Sequence, residues 1–202
     1  MRATPLTHKT TLVAVIAAAV TAGLLVMQAS SAAFTSVTDN TGNHFGADTV
    51  ELTDNDADAA MFEVDDMVPG QEEVRCITVS YSGASDSDVN LYAAIGGLDE
   101  LAPYLDLTID ADLEPQTLTT AGDFDCPGDL DASTVVQATT KLDSFVATSN
   151  DFDSGVGNIT FADGDDVVYR FTAALDADHP TIDDAQGESV TDLTFTWESQ
   201  TQ

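Results

Sequence analysis

Few residues in this chain can do chemistry beyond packing, and their spacing narrows what that chemistry is. Cys76 and Cys126 are its two cysteines. In an oxidising compartment an even pair reads as one disulfide. It would close a loop of about 50 residues and stabilise the fold by roughly 4 kcal/mol through chain entropy. The alternative, a two-cysteine metal site, needs further ligands, and no Cys-x-x-Cys or nearby histidine supplies them. Asp54, Asp56, Asp58 and Asp65 occupy positions 1, 3, 5 and 12 of a calcium loop of EF-hand type. Ala59 replaces the glycine of position 6, Asp65 replaces the usual Glu, and strand-like sequence flanks the loop. No cofactor is required on this reading; calcium is the one candidate, beside the plainer reading of an acidic turn in water. Asp163-Gly164-Asp165-Asp166 and residues 123–131 read as similar turns. Beyond the first 40 residues the histidines are His44 and His179, far apart and without an H-E-x-x-H motif. They support a zinc site less well than they support solvated loops. No G-x-S-x-G elbow places a nucleophilic serine. Asn158-Ile159-Thr160 is an N-glycosylation sequon.

The charge pattern says where such residues operate. The chain has 202 residues, 36 acids against 5 bases, and a net charge of -31. The first acid is Asp39, and only Arg2 and Lys9 precede it as bases. Everything after sets Arg75, Lys141 and Arg170 against all 36 acids. Such a surface cannot neutralise a row of phosphates, which excludes nucleic-acid binding, and it has no basic patch for an anionic membrane. With 43% hydrophobic residues the chain is not disordered by composition. Its start has the order of a secretory signal peptide: Arg2, His8 and Lys9, an apolar run from Leu12 to Met27, then Ala29-Ser30-Ser31-Ala32-Ala33. Signal peptidase would cut before Ala33 or Phe34. An uncleaved anchor is the other reading, but a spanning helix needs about 20 apolar residues and this run is shorter. Either way the body is exported. The domain plan is a leader over residues 1–33 and one domain over 34–202.

The elements that must position these residues read as strands. Thr191, Leu193, Phe195 and Trp197 alternate with Asp192, Thr194, Thr196 and Glu198. Val167, Tyr169, Phe171, Ala173 and Leu175 form one face, as do Leu105, Leu107 and Ile109, then Ile77, Val79 and Tyr81, then Val89, Leu91, Ala93 and Ile95. Shorter candidates are 49–52, 60–64 and 159–161. Gly-, Asp-, Ser- and Pro-rich turns join them. Leu142, Phe145 and Val146 have helical spacing over 140–148, and Leu98 and Leu101 suggest a turn before Pro103. The expected fold is all-β: an antiparallel, jelly-roll-like β-sandwich with one or two short helices and the acids on turns and outward faces.

Three stretches together resemble the TasA/camelysin family of secreted proteins. Ala32-Ala33-Phe34-Thr35-Ser36-Val37 is followed by Phe45-Gly46-Ala47-Asp48-Thr49-Val50-Glu51-Leu52, similar to that family's Ala-Phe start and Gly-Thr-Leu-x-Leu strand, with Asp48 where Gly is usual. Met67-Val68-Pro69-Gly70-Gln71 leads into 74–83, like the family's Pro-Gly turn before a long strand. Ala185-Gln186-Gly187 precedes the alternating strand and the tail Glu198-Ser199-Gln200. The resemblance spans the chain; the cysteine pair and the extreme acidity depart from it. It implies a jelly roll whose subunits polymerise into biofilm-matrix fibres or pilus-like threads. The donor strand passed to a neighbour would be Ala33, Phe34, Thr35, Ser36, Val37 and Thr38, with Phe34 and Val37 as anchors. The same segment read alone is a frayed N-terminus or a self-paired strand.

The leading expectation is therefore a secreted, non-catalytic matrix or cell-surface protein forming a head-to-tail homopolymer. A camelysin-type metalloprotease and a monomeric acidic adhesion or cation-binding module are the alternatives. The acidity suggests a salty habitat. Repulsion between subunits reaches about 10 Å at 0.1 M salt and only about 3 Å at 1 M.

Overall fold

Alternating apolar residues build this molecule. A computed structural model of the chain describes residues 50–201 and the backbone of residues 35–37. The leader expected over 1–33, with Ala33, Phe34, Thr38 and His44, lies outside the described residues. The strands are β1 (Thr35–Val37), β2 (Glu51–Asp54), β3 (Glu72–Ser82), β4 (Ser87–Ile95), β5 (Leu105–Asp112), β6 (Thr134–Lys141), β7 (Val156–Phe161), β8 (Asp166–Leu175) and β9 (Leu193–Thr201). A helix, α1 (Leu142–Thr148), joins β6 to β7, and 3-10 turns cover Ala102–Tyr104 and Ile182–Ala185.

The strands form two antiparallel sheets, one ordered β1-β9-β4-β7 and the other β2-β3-β8-β5-β6. With β2 set aside as an extra edge strand, the chain changes sheet at every connection but β5 to β6. That is the winding of a jelly roll, as expected. The inward rows meet between the sheets. Ile77, Val79 and Tyr81 of β3, Leu107 and Ile109 of β5, and Tyr169 and Phe171 of β8 face Val89, Leu91 and Ala93 of β4 and Trp197 of β9, all buried. Rings tie the two layers: Phe171 lies 4.7 Å from Phe195 and 6.1 Å from Trp197, and Tyr169 lies 5.4 Å from Trp197. Burying one such side chain contributes about 1.5–3 kcal/mol, and a ring pair adds about 0.5–1.5 kcal/mol. In α1, Leu142 and Phe145 are one turn apart and both buried, which docks the helix on the core.

Several expectations need correction. Residues 60–64 form no strand; Met61 and Phe62 instead pack as loop residues against the core. The strand β6 was not foreseen, and α1 begins at Leu142, because Thr140 and Lys141 end that strand. Cys76 and Thr78, on the outward row of β3, are buried at 0% and 4% exposure, because the 113–133 loop covers them. Asp112 and Glu198 are buried too, at 7% and 8%, where the acids were expected to face water.

Candidate functional site

The rim of the four-stranded sheet is formed by β9 and the short β1. On its inner side β9 pairs with β4 along its whole length, from Ile95 opposite Leu193 to Ser87 opposite Thr201. On its outer side it pairs with β1 only where Thr35, Ser36 and Val37 oppose Gln200, Ser199 and Glu198. Among the described residues no strand pairs with that outer side at 193–197. Thus Thr35–Val37, three of the expected donor residues, lie as the edge strand of their own sheet.

Glu198 sits at this rim, opposite Val37 on one side and Asn90 on the other. Its carboxylate accepts from the Tyr92 hydroxyl at 3.0 Å and from Gln200 Nε2 at 3.4 Å. Burial and that bond to Glu198 push the Tyr92 phenol above its ordinary range. Next to it Ser199 is 1% exposed, and its hydroxyl has no hydrogen-bond partner among the described residues.

The five-stranded sheet is tied down differently. Cys76 of β3 and Cys126 form a disulfide with Cα atoms 4.9 Å apart, bridging a sequence separation of 50. Around it the 113–133 loop bonds to the sheet and to β2's exit. Cys76 N–H donates to the Phe124 carbonyl at 2.8 Å, Thr78 and Thr119 hydroxyls meet at 2.7 Å, and Asn55 Nδ2 donates to the Thr120 carbonyl at 2.9 Å. Asp112 anchors the loop's two ends, accepting from Glu114 N–H and Asp131 N–H at 3.0 Å each. The three cations of the body all lie on this sheet, each paired: Arg75 with Glu73 at 3.2 Å, Lys141 with Asp106 at 2.7 Å and Asp176 at 2.5 Å, and Arg170 with Asp110 at 2.8 Å.

The metal candidates are not brought together. Asp54, Asp56 and Asp58 form successive Asx turns, with Asp54 Oδ1 accepting from Asp56 N–H and Asp56 Oδ1 from Asp58 N–H. Burial raises the Asp54 pKa, and the neighbouring carboxylates of Asp56 and Asp58 add to the rise. Neither these three with Asp65, nor any other three His, Cys, Asp or Glu side chains among the described residues, converge to hold an ion. His179 stacks edge-on against Tyr104, ring centroids 4.7 Å apart, and its Nδ1 accepts from Thr181 N–H at 3.3 Å. Asp165 closes its own turn by accepting from Ala162 N–H at 2.8 Å. A shallow hollow of about 280 Å³ is lined by Leu113, Glu114, Pro115, Gln116, Gly164, Asp165 and Asp166, carboxylates without a nucleophile–base pair. Asn158 is exposed on β7, the other edge of the four-stranded sheet.

A scan against protein-family models finds no match to this chain, and a search of curated proteins finds none either. Among the described residues no helix is long and apolar enough to cross a membrane. With the disulfide, the described structure is compatible with an extracellular location. Sequence reasoning missed Glu198 and Asp112 as buried acids. For Asp112 a signal was available: the Asp-x-Glu-Pro run at 112–115 is a turn start, where an Asx carboxylate binds backbone.

Proposed function

We propose that this protein is a secreted structural subunit that polymerises head to tail into extracellular or cell-surface fibres, segment 33–38 of one copy completing the four-stranded sheet of the next. One observation carries the reading: β9 offers nine residues to its neighbours, and β1 occupies three of them at the rim. The first strand of the jelly roll is thus its shortest, and it directly follows the expected cleavage site. Releasing it costs a few ladder hydrogen bonds, each worth about 0.5–1.5 kcal/mol net. Adding it to the equivalent rim of another copy regains the same bonds, as in strand addition generally. A contact between two different surfaces of the same chain propagates as a filament wherever its rotation does not close a ring. The resemblance to TasA/camelysin proteins supports the same reading.

The acidity sets the conditions. Subunits this negative repel one another at low ionic strength, and screening at about 1 M salt shrinks that repulsion to contact range. Assembly is then salt-dependent.

The test is deletion of residues 33–38 from the mature protein. Electron microscopy is expected to find fibres of the intact protein at high salt, shorter ones at low salt, and none from the deletion variant, whose circular dichroism stays that of a folded β protein. A folded variant that still makes fibres would sink the proposal. A full-length mature protein that stays monomeric by light scattering at every salt concentration would favour the cation-binding or adhesive module.

A further inference from the structure

We infer that Asn158 carries an N-linked oligosaccharide, an inference that rests on the export reading above. The sequence contains one sequon, Asn158-Ile159-Thr160, and the fold presents it for modification. On β7 the exposure alternates: Asn158 and Thr160 are exposed, while Ile159 between them packs against the core and Phe161 is buried. The two residues that the transferring enzyme must grip therefore share the outward face of an edge strand.

The use made of the other asparagines among the described residues separates Asn158 from them. Asn55 donates to the Thr120 carbonyl and accepts from Thr78 N–H; Asn90 donates to the Phe152 carbonyl and accepts from Asn158 N–H; Asn150 donates to the Ala147 carbonyl. All three carboxamides hold backbone in place. The Asn158 carboxamide makes no hydrogen bond among the described residues, while its own N–H is pinned at 2.7 Å by Asn90. The pairing of β7 with β4 shifts register here, between Val89 opposite Ile159 and Leu91 opposite Val156, and Asn158 adopts a left-handed φ of 42°. Asn tolerates that conformation better than most residues. The backbone is fixed and the side chain is left free, an arrangement that serves no packing role.

The chemistry is a group transfer. The carboxamide nitrogen bonds to the anomeric carbon of a polyprenyl-phosphate-linked oligosaccharide. The bond from that carbon to the phosphate oxygen breaks, the lipid phosphate leaves with the electron pair, and the amide gives up one proton. A sugar chain at this point covers the edge opposite to β1. A bare edge there invites unwanted strand pairing, and bulk is one way to block it.

Trypsin cuts after Lys141 and Arg170, so Asn158 lies in a single peptide spanning 142–170. Mass spectrometry of the protein collected outside its own producing cells is expected to find this peptide heavier by one oligosaccharide. The shift disappears in Asn158→Gln and Thr160→Ala and persists in Thr160→Ser. Probing the cell interior as well as the outside separates the two readings. An unshifted peptide on protein found outside the cells, its leader cut or kept, overturns glycosylation and leaves export standing; an unshifted peptide on protein found only inside the cells overturns both.

Discussion

The two sheets of this jelly roll are built from the same alternating pattern but secured by different means. The five-stranded sheet holds the disulfide, the covering 113–133 loop, the loop-anchoring Asp112 and every cation of the body. The four-stranded sheet has no Lys or Arg on any strand. Its buried acid, Glu198, holds only side chains, and its outer edge is three residues long. The cross-links and ion pairs are concentrated in one layer. The proposed fibre subunit would need that division, since a strand that exchanges must leave while the core stays closed.

The largest expected effect breaks the comparison at its strongest point. Replacing Cys76 and Cys126 together by Ser releases a loop of 50 residues and should cost about 4 kcal/mol in urea unfolding, by loop-entropy arithmetic. A loss under about 1 kcal/mol would mean that the loop, not the bond, secures the five-stranded sheet. Second in size is Asp112→Ala. It strips two backbone donors, Glu114 N–H and Asp131 N–H, of a charged, buried acceptor, and hydrogen bonds to charged groups are worth about 1.5–3 kcal/mol. Glu198→Gln is expected to cost clearly less, because an amide oxygen still accepts from Tyr92. If the two variants lose equal stability, the contrast between the layers fails.

Much of this division was legible in the sequence, and the rest was hidden for physical reasons. The strands β3, β4, β5, β8 and β9 each bury one face, so apolar residues recur at every second position. The strand β6 has adjacent valines, Val135 exposed at 65% and Val136 half-buried, and as an edge strand it has no clean inward row. Conversely, 60–64 has the apolar content of a strand but buries Met61 and Phe62 from a loop. Alternation also cannot reveal a loop lying over a second face, which is why it does not show the burial of Cys76, Thr78 and Asp112. The short β1 is legible in the sequence as a donor or as a self-paired strand; its register on β9 comes from the fold.

The cation pairs give a smaller effect with a defined pH dependence. Lys141 bridges Asp106 and Asp176 with all three side chains roughly a quarter exposed, so screening keeps the contribution modest. Hydrogen bonding to Lys141 lowers the Asp176 pKa below its ordinary 3.8. Burial alone would lower the Lys141 amine, but its bonds to both carboxylates outweigh that and raise it above 10.5. A lowered carboxyl stabilises above its unfolded pKa and loses that contribution as pH falls through the folded one. A raised amine stabilises below its unfolded pKa and loses it as pH rises through the folded one. The stability lost in Lys141→Met should therefore be constant between about pH 5 and 9 and shrink at both extremes, read as the difference in melting temperature across pH. A difference that persists undiminished at pH 2 would assign the effect to packing of the lysine stem rather than to charge.

The smallest effect has the opposite sign and probes the four-stranded layer itself. Ser199 is inside the four-stranded sheet, opposite Ser36 of β1, with a hydroxyl that finds no partner among the described residues. A buried hydroxyl without a bond is a cost, and removing it leaves an alanine of nearly the same shape. Ser199→Ala is expected to be neutral or to stabilise by up to about 1 kcal/mol in urea unfolding. If the substitution instead destabilises, the hydroxyl has a partner, and the rim is held more firmly than its three-residue strand implies. The sign of that one change bears on the proposed release of β1. An unsatisfied group beside an edge strand lowers the cost of opening the rim, and a satisfied one raises it.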